Sequence, residues 1–191
     1  MRTDYASDAG MFLVDTIIGL YTLIVMLRFL FGLTGADHLN PISQAVLKLS
    51  NPPLKRLRRI VPSLPGIDTA AVVLLLILEM CRIAGINLLS GHSPAVVGLI
   101  LLSVGELLKL AIYIIIFSIF VRAMLSWFSS AGYTPVLRLM HTFTEPMLKT
   151  FRRLLPVTGG LDFSPIALFI VFMVVLKIVV QPLLDFGRAM L

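Results

Sequence analysis

The sequence predicts an all-α membrane protein whose four transmembrane helices form two tandem parallel repeats, each with a basic amphipathic interfacial segment between its two spans. Composition is the first reason, because 58% of the residues are hydrophobic, only 14% are charged and the mean hydropathy is +0.99. Soluble domains usually carry about 25% charged residues. The second reason is four apolar runs of roughly the 20 residues that a helix needs to cross a bilayer. The third is a cationic motif that recurs after 94 residues.

The first repeat is predicted to cover residues 11–90. Its spans are the apolar runs at about 11–33 and 69–90, and the segment 34–68 joins them. This segment is amphipathic, because apolar residues recur at helical spacing on one side and cationic residues occupy the other. The apolar positions, on either side of the Pro52-Pro53 pair, are Ile42, Val46, Leu49, Leu54, Leu57 and Val61. Such a pattern is typical of a helix that lies on the membrane surface.

The second repeat is predicted to cover residues 95–184. Its first span lies within 95–127, its second at about 164–184, and the segment 128–163 joins them. This joining segment repeats the amphipathic pattern of the first copy, so a second interfacial helix is expected.

The third apolar run is longer than a bilayer requires. Its 33 residues would reach about 50 Å as a helix, against a hydrocarbon core of about 30 Å. Alignment with the first repeat places the start of the equivalent span near residue 105. Residues 95–104 are therefore predicted to form an extra interfacial or tilted entry, with Gly98 and Gly105 as bending points.

Residues 52–68 and 146–162 carry the strongest sign of duplication. Eight of their seventeen aligned positions are identical, where chance would give about one. The identical positions of the first copy are Pro52, Leu54, Lys55, Arg58, Arg59, Pro62, Gly66 and Asp68. Because each repeat contains two spans, both copies are expected to face the same way across the membrane.

Nine of the sixteen basic residues lie in the two joining segments. Short loops with such an excess usually lie in the cytoplasm, so both termini are expected on the opposite side. The clustering between apolar spans argues against nucleic-acid binding. Two interpretations of these residues stay open, namely anchoring to anionic lipid head groups and docking of a partner protein. The residues concerned are Lys55, Arg56, Arg58, Arg59, Lys149, Arg152 and Arg153.

The repeated motif P-x-L-K-x-x-R-R-[IL]-[VL]-P-x-x-x-G-[IL]-D, followed by FSP in the second copy, resembles the YggT family, also called YlmG, over about residues 11–185. The resemblance implies a small multi-pass protein of the bacterial inner membrane with no catalytic activity. In that membrane, the orientation expected from the basic segments makes both termini periplasmic. Bacterial members are linked to survival of osmotic stress and potassium shortage, and to cell division or shape. Chloroplast members act in cytochrome biogenesis and in organising the organelle's DNA.

Apart from Arg28 and Arg122 near their ends, the predicted spans contain six charged residues, whose formal charges sum to zero. They are Asp15, Glu79, Arg82, Glu106, Lys109 and Lys177. Two acid–base pairs are three residues apart, which places each pair on one helix face. Because ionisable residues inside a membrane usually face the bundle interior or water, two interpretations follow. One is a self-compensating structural network, and the other is a hydrated ion or proton path.

Four further residues stand at the ends of the spans. Asp68 and Asp162 each follow a Gly-containing turn and precede a span, where a carboxylate can cap free helix N–H groups. A cation site built from both carboxylates is the alternative. Arg28 and Arg122 lie near the basic ends of the first and third spans, and they are expected to extend to the lipid phosphates.

No catalytic motif, metal-ligand spacing or cofactor fingerprint is recognised in the sequence. The single Cys81 is expected to act as a small buried hydrophobe. Together with the family resemblance, the lack of such motifs predicts a non-enzymatic, multi-pass inner-membrane protein without cofactors. The role that the resemblance implies is support of osmotic-stress tolerance, ion homeostasis or assembly of membrane components. The alternative is an ion channel or transporter that uses the intramembrane charges. The expected partners are the bilayer with its anionic head groups and either a membrane protein or a second copy of the chain.

Overall fold

Helices account for all the long elements in the described part of the chain. The structure, a computed structural model, describes residues 5–62, 64, 66–92, 94–128, 134–154 and 162–191, with the side chains of 126–128 excepted. The helices are α1 (Tyr5–Thr34), α2 (Pro41–Leu57), α3 (Thr69–Leu89), α4 (Val96–Phe128), α5 (Pro135–Leu154), α6 (Ser164–Val175) and α7 (Gln181–Ala189). A π-helical turn, Leu176–Val180, joins α6 to α7. The second half of the repeated motif, 155–161, lies outside the described residues.

Four helical stretches are long and apolar enough to cross a membrane. They are α1, α3, α4 and the continuous stretch Ser164–Ala189 that contains α6, the π turn and α7. The predicted class, an all-α protein with four spans in two tandem repeats, is confirmed. The exact repeat bounds, 11–90 and 95–184, stay predictions.

The first repeat shows how local sequence sets the helix ends. Gly35 follows α1 with φ +65°, a conformation that glycine adopts without a Cβ penalty. Asn40 caps α2 by accepting a hydrogen bond from the Ile42 amide, and Pro41 occupies the first turn. These two signals bring the chain from the first span into α2.

The two amphipathic helices lie at the same end of the bundle. The Asn40 side chain donates to the Pro135 carbonyl at 2.5 Å, and Arg138 pairs with Asp37 at 2.9 Å. At the other end, the Ser7 hydroxyl donates to the Leu89 carbonyl at 2.8 Å. The cationic segments therefore share one end of the spans, which we call the basic end.

The apolar faces of α2 and α5 pack largely on the protein. Leu54 of α2 and Leu139 and Phe143 of α5 have no exposed surface. The Phe143 ring meets Phe31 of α1 edge to face, with centroids 5.3 Å apart. The spans present apolar side chains at their basic ends. These side chains cover part of the apolar faces of α2 and α5, which the sequence predicted to face lipid. Other apolar positions, such as Leu49 at 56% exposure, stay uncovered.

The Pro52-Pro53 pair does not divide the first amphipathic helix. α2 runs through both prolines. A proline has no N–H, so Pro53 leaves the carbonyl of Leu49 without its usual helical donor. The Tyr21 hydroxyl lies 3.4 Å from that carbonyl oxygen and replaces part of the lost interaction.

Glycines bring α4 and α7 into close backbone contact. A Cβ on Gly98 would lie 2.8 Å from the Met190 carbonyl oxygen, and one on Gly187 would lie 2.8 Å from the Leu102 nitrogen. Gly98 and Gly105 were predicted as bending points, but α4 is continuous through both, and their role is close packing. The predicted extra entry, 95–104, belongs to this packed helix from Val96 onward.

Candidate functional site

The most deeply buried ion pair in the spans lies on α3. Glu79 is only 2% exposed. The Arg82 Nε atom lies 3.1 Å and 3.2 Å from its two carboxylate oxygens, and Nη2 contacts the same group. A carboxylate in this environment needs a permanent positive partner, because isolated burial of its charge is costly. Arg82 supplies that charge from one turn further along the same helix.

Arg82 also links two spans. Its Nη1 donates to the Asp15 carboxylate of α1 at 2.5 Å, and Asp15 itself is about half exposed, at 54%. One guanidinium therefore bridges an acid of its own helix and an acid 67 residues earlier in the chain. The bridge holds α1 and α3 in a defined rotation relative to each other.

The second pair lies on α4. Lys109 Nζ is 3.1 Å from the Glu106 carboxylate, and Arg188 of α7 approaches the same acid at 3.8 Å. Lys177 is exposed in the π turn and forms no ion pair in the described part of the chain. The structure thus brings five of the six predicted intramembrane residues into pairs, and Arg188, which the sequence analysis did not single out, accompanies them.

Both pairs line one cavity between α1, α3 and α4. Its volume is about 210 Å³, and its walls include Glu79, Arg82, Glu106 and Lys109. Thr22 also lines it, with a buried hydroxyl that has no hydrogen-bond partner among the described residues. Because buried hydroxyls are normally satisfied by protein or water, this cavity is chemically suited to hold water. We call it the intramembrane cavity.

A second polar cluster forms at the basic end of the first repeat. Arg28 is only 8% exposed. Its Nη1 donates to Asn51 Oδ1 at 2.6 Å and to Ser50 Oγ at 3.1 Å, and its Nε lies 3.9 Å from Asp68. Arg58 contacts the same Asp68 carboxylate. Arg28 therefore binds the amphipathic helix α2. The prediction that it extends to the lipid phosphates is wrong.

The second repeat builds the equivalent cluster from residues 94 positions later. Arg122 donates to Thr144 Oγ1 at 2.9 Å and to Glu145 at 2.8 Å. Arg152 pairs with Glu145 at 2.7 Å and with Asp162 at 2.8 Å. Arg122 is therefore also held by a protein carboxylate, contrary to the predicted contact with lipid phosphates.

The two clusters differ in charge. In the first, two guanidinium groups share the one carboxylate of Asp68, so the formal balance is positive by one. In the second, Arg122 and Arg152 face two carboxylates and the balance is zero. The cause is one exchange, since Asn51 stands where the second copy has Glu145.

The predicted helix caps are placed slightly differently in the two copies. Asp68 is the N-cap of α3 and accepts from the Ala71 amide. Asp162 precedes the N-cap, Phe163, and accepts from the Ser164 amide at 2.9 Å. Each carboxylate also contacts an arginine of its own repeat. These contacts give each Asp a structural role within its own copy.

The remaining predicted basic residues lie on the surface. Five are exposed and form no ion pair among the described residues, namely Lys55, Arg56, Arg59, Lys149 and Arg153. They form the cationic surface of the basic end. Arg58 and Arg152, by contrast, are paired with Asp68 and Asp162.

The side chains that bind Arg28 and Arg122 were not predicted from the sequence. These are Ser50 and Asn51 in the first copy and Thr144 and Glu145 in the second. The 94-residue spacing already aligned Ser50 with Thr144 and Arg28 with Arg122. A search for polar residues at equivalent positions would have found them.

Acid should weaken the second cluster. Burial alone would raise the pKa of Glu145, but Arg122, Arg152 and His141 outweigh burial and hold that pKa below its ordinary value of 4.5. Hydrogen bonds from Ser164 and Arg152 likewise outweigh burial and lower the pKa of Asp162 from 3.8. A depressed carboxylate pKa stabilises the fold above the unfolded-state value, and this stability is lost as pH falls through the folded-state value.

We therefore expect the melting temperature in detergent to fall below about pH 4. The fall should be shallower in Glu145→Gln, which has one carboxylate fewer to protonate. Between about pH 5 and 8 these two groups should have no effect. Identical acid limbs for the two proteins would contradict the assignment.

Comparison with known proteins places the chain beside an uncharacterised group. The model of the CCB3/YggT family matches residues 7–89 and again 101–183. An uncharacterised protein of Pseudomonas aeruginosa is 34% identical over 179 residues, covering 93% of this chain and 91% of its own length. The uncharacterised protein YggT of Escherichia coli K12 is 32% identical over 182 residues, covering 94% of each. No solved structure was found to match. The family resemblance predicted from the repeated motif is confirmed.

Proposed function

We infer, because this chain belongs to the CCB3/YggT family, that it is a non-enzymatic protein of the bacterial inner membrane that organises lipid or other membrane components at its basic end. Through this role it would support osmotic-stress tolerance, ion homeostasis or the assembly of membrane components. The proposal requires a membrane-embedded body with one end specialised for contact. The four apolar spans provide the body, and the cationic surface provides the contact.

One observation carries this proposal. Charged groups within the spans are mostly paired with one another, whereas the cationic surface at the basic end has no protein partner in the described part of the chain. Each basic residue near an anionic leaflet contributes about 1 kcal/mol of attraction. Unpaired charge is therefore concentrated where anionic head groups would meet it.

The proposal requires the basic end to face the cytoplasm. We expect impermeant thiol reagents added outside spheroplasts to label Tyr5→Cys and Met190→Cys but not Lys55→Cys. The background should carry Cys81→Ser, because Cys81, the native thiol, is exposed and not buried as the sequence predicted. The reason is the cytoplasmic bias of Lys and Arg in short loops. Labelling of Lys55→Cys from outside would refute this orientation.

Function at the cationic surface is tested by removing its charge. Replacing Lys55, Arg56, Arg59, Lys149 and Arg153 with Gln should reduce contact with fluorescent anionic lipids in reconstituted vesicles and lower growth at high osmolarity. Gln44→Ala, an exposed uncharged substitution on α2, is the matched control. Normal growth and lipid contact in the Gln variant, at wild-type protein levels, would reject the proposal.

A second candidate function rests on the intramembrane cavity. The cavity is lined by Glu79, Glu106 and Thr22, whose hydroxyl has no hydrogen-bond partner in the described part of the chain. A hydrated ion or proton path would also use this arrangement. Flux of potassium and protons into proteoliposomes tests it. Flux that is lost in Glu106→Gln, while the protein stays folded, would favour the path over the structural network.

Lys177 marks the position at which we propose contact with a partner membrane protein or a second copy. It is exposed on the fourth span, where an unpaired ammonium group facing lipid is costly. A carboxylate from a neighbouring chain would neutralise it. Crosslinking between copies through Lys177→Cys in native membranes would support self-association, and its absence would favour a different partner.

A further inference from the structure

A separate cavity lies at the basic end of the first repeat. Its volume is about 350 Å³, and it lies between the end of α1, the first half of α2 and the turn that precedes α3. The polar wall is formed by Arg28, His38, Ser43, Arg58 and Asp68. Phe29, Phe31, Leu33, Val46 and Leu47 contribute its apolar wall. We call it the Arg28 cavity.

Positive charge in the Arg28 cavity exceeds negative charge. Asp68 is its one carboxylate, and both oxygens are already engaged, Oδ1 by the Ala71 amide and Oδ2 by Arg58. Arg28 donates from Nη1 to the neutral oxygens of Ser50 and Asn51, and its Nη2 makes no hydrogen bond among the described residues. A guanidinium with unused donors is suited to bind the paired oxygens of an anion.

A buried hydroxyl in the same cavity also lacks a partner. Ser43 is only 2% exposed, lines the cavity and has an Oγ without a hydrogen-bond partner in the described residues. It lies in the first turn of α2, where the helix dipole also favours negative charge. A buried hydroxyl without a hydrogen-bond partner is energetically costly. The Ser43 hydroxyl is therefore suited to donate a hydrogen bond to an acceptor bound in the cavity.

The second repeat provides an internal comparison. Its equivalent cluster is neutral because Glu145 replaces Asn51, and the position of Ser43 is taken by Leu137. The second repeat therefore lacks both features that favour an anion, namely the excess positive charge and the unpartnered serine hydroxyl. Because the clusters otherwise share arginines and aspartate, the difference points to a ligand specific to the first repeat.

We propose that the Arg28 cavity binds a phosphate group, with the Arg28 guanidinium and the Ser43 hydroxyl as its donors. The phosphate comes either from an anionic lipid head group, whose acyl chains the apolar wall suits, or from free inorganic phosphate. This site is distinct from the cationic surface, whose residues are exposed and do not line the cavity. The inference stands whether or not the protein supports osmotic tolerance.

The test uses the full-length protein in a neutral detergent. Thermal shift is measured against inorganic phosphate at constant ionic strength and, separately, against phosphatidic acid in mixed micelles, with phosphatidylcholine as the zwitterionic control. We expect saturable stabilisation by at least one phosphate source and little by phosphatidylcholine. A response to phosphatidic acid alone assigns the site to lipid, and a response to inorganic phosphate assigns it to the free anion as well.

Three variants locate the binding. Ser43→Ala removes the unpartnered hydroxyl, so the ligand-free protein should remain as stable as wild type while affinity falls about ten-fold. Asn51→Glu copies the neutral second cluster and should weaken binding by at least as much while Arg28 stays paired. Lys48→Gln makes the same change in net charge at an exposed position that belongs neither to this cavity nor to the cationic surface, and it should leave affinity unchanged.

Equal losses in Lys48→Gln and Asn51→Glu would overturn the proposal, because diffuse attraction would then explain the binding. An equal response to phosphatidylcholine, or no saturable response to either phosphate source, would overturn it too. Loss of phosphate binding with normal lipid contact at the cationic surface would separate this site from the proposed function of that surface.

Discussion

Arg82→Gln should destabilise the protein by about 3–5 kcal/mol, the cost typical of breaking a buried ion pair from one side. The substitution leaves Glu79, at 2% exposure, without the guanidinium that contacts both of its oxygens. It also removes the link to Asp15 on α1. The measurement is unfolding of the detergent-solubilised protein, followed by helical circular dichroism.

The double variant decides whether the two residues act as a pair. Glu79→Gln combined with Arg82→Gln should recover part of the loss, because neither charge then remains buried alone. Glu79→Gln alone should cost less than Arg82→Gln, since Arg82 keeps Asp15 as a partner. Lys177→Gln is the matched control, because it removes a span charge that has no ion-pair partner in the described part of the chain. Strictly additive single losses would remove the network interpretation of this pair.

Gly187→Ala should separate α4 from α7 and cost about 1–3 kcal/mol or more, as overpacking does in a well-packed interface. The added Cβ would lie 2.8 Å from the Leu102 nitrogen and 3.0 Å from its Cα. Both are backbone atoms of α4, so no side-chain rotation relieves the clash. Small residues allow this close approach of helices within a membrane.

Gly32→Ala should change the stability in the opposite direction to Gly187→Ala. Gly32 is a helical residue of α1 without positive φ, and a Cβ there meets nothing within 4 Å. Alanine should therefore stabilise the helix by up to about 1 kcal/mol. Melting temperatures of both variants should lie on opposite sides of wild type. A Gly187→Ala protein as stable as wild type would show that α4 and α7 do not pack this closely.

The sequence by itself determined the architecture. Four apolar runs, the 94-residue repeat and the amphipathic joining segments predicted the spans and the interfacial helices, because a bilayer imposes length and polarity along a single coordinate. The same reasoning identified Glu79 with Arg82 and Glu106 with Lys109, since residues three apart on a helix necessarily share a face.

Only the tertiary structure decided which helix faces meet. Helices that are apolar all round carry little sequence signal about their rotation, so the contact of Arg82 with Asp15 and the exposure of Lys177 could not be read from periodicity. The π turn that carries Lys177 ends two residues before Pro182, whose missing N–H leaves the Ile178 carbonyl without its helical donor. Burial of Arg28 likewise follows from how α2 docks on α1, because a helix at the interface can satisfy a guanidinium that would otherwise extend to lipid.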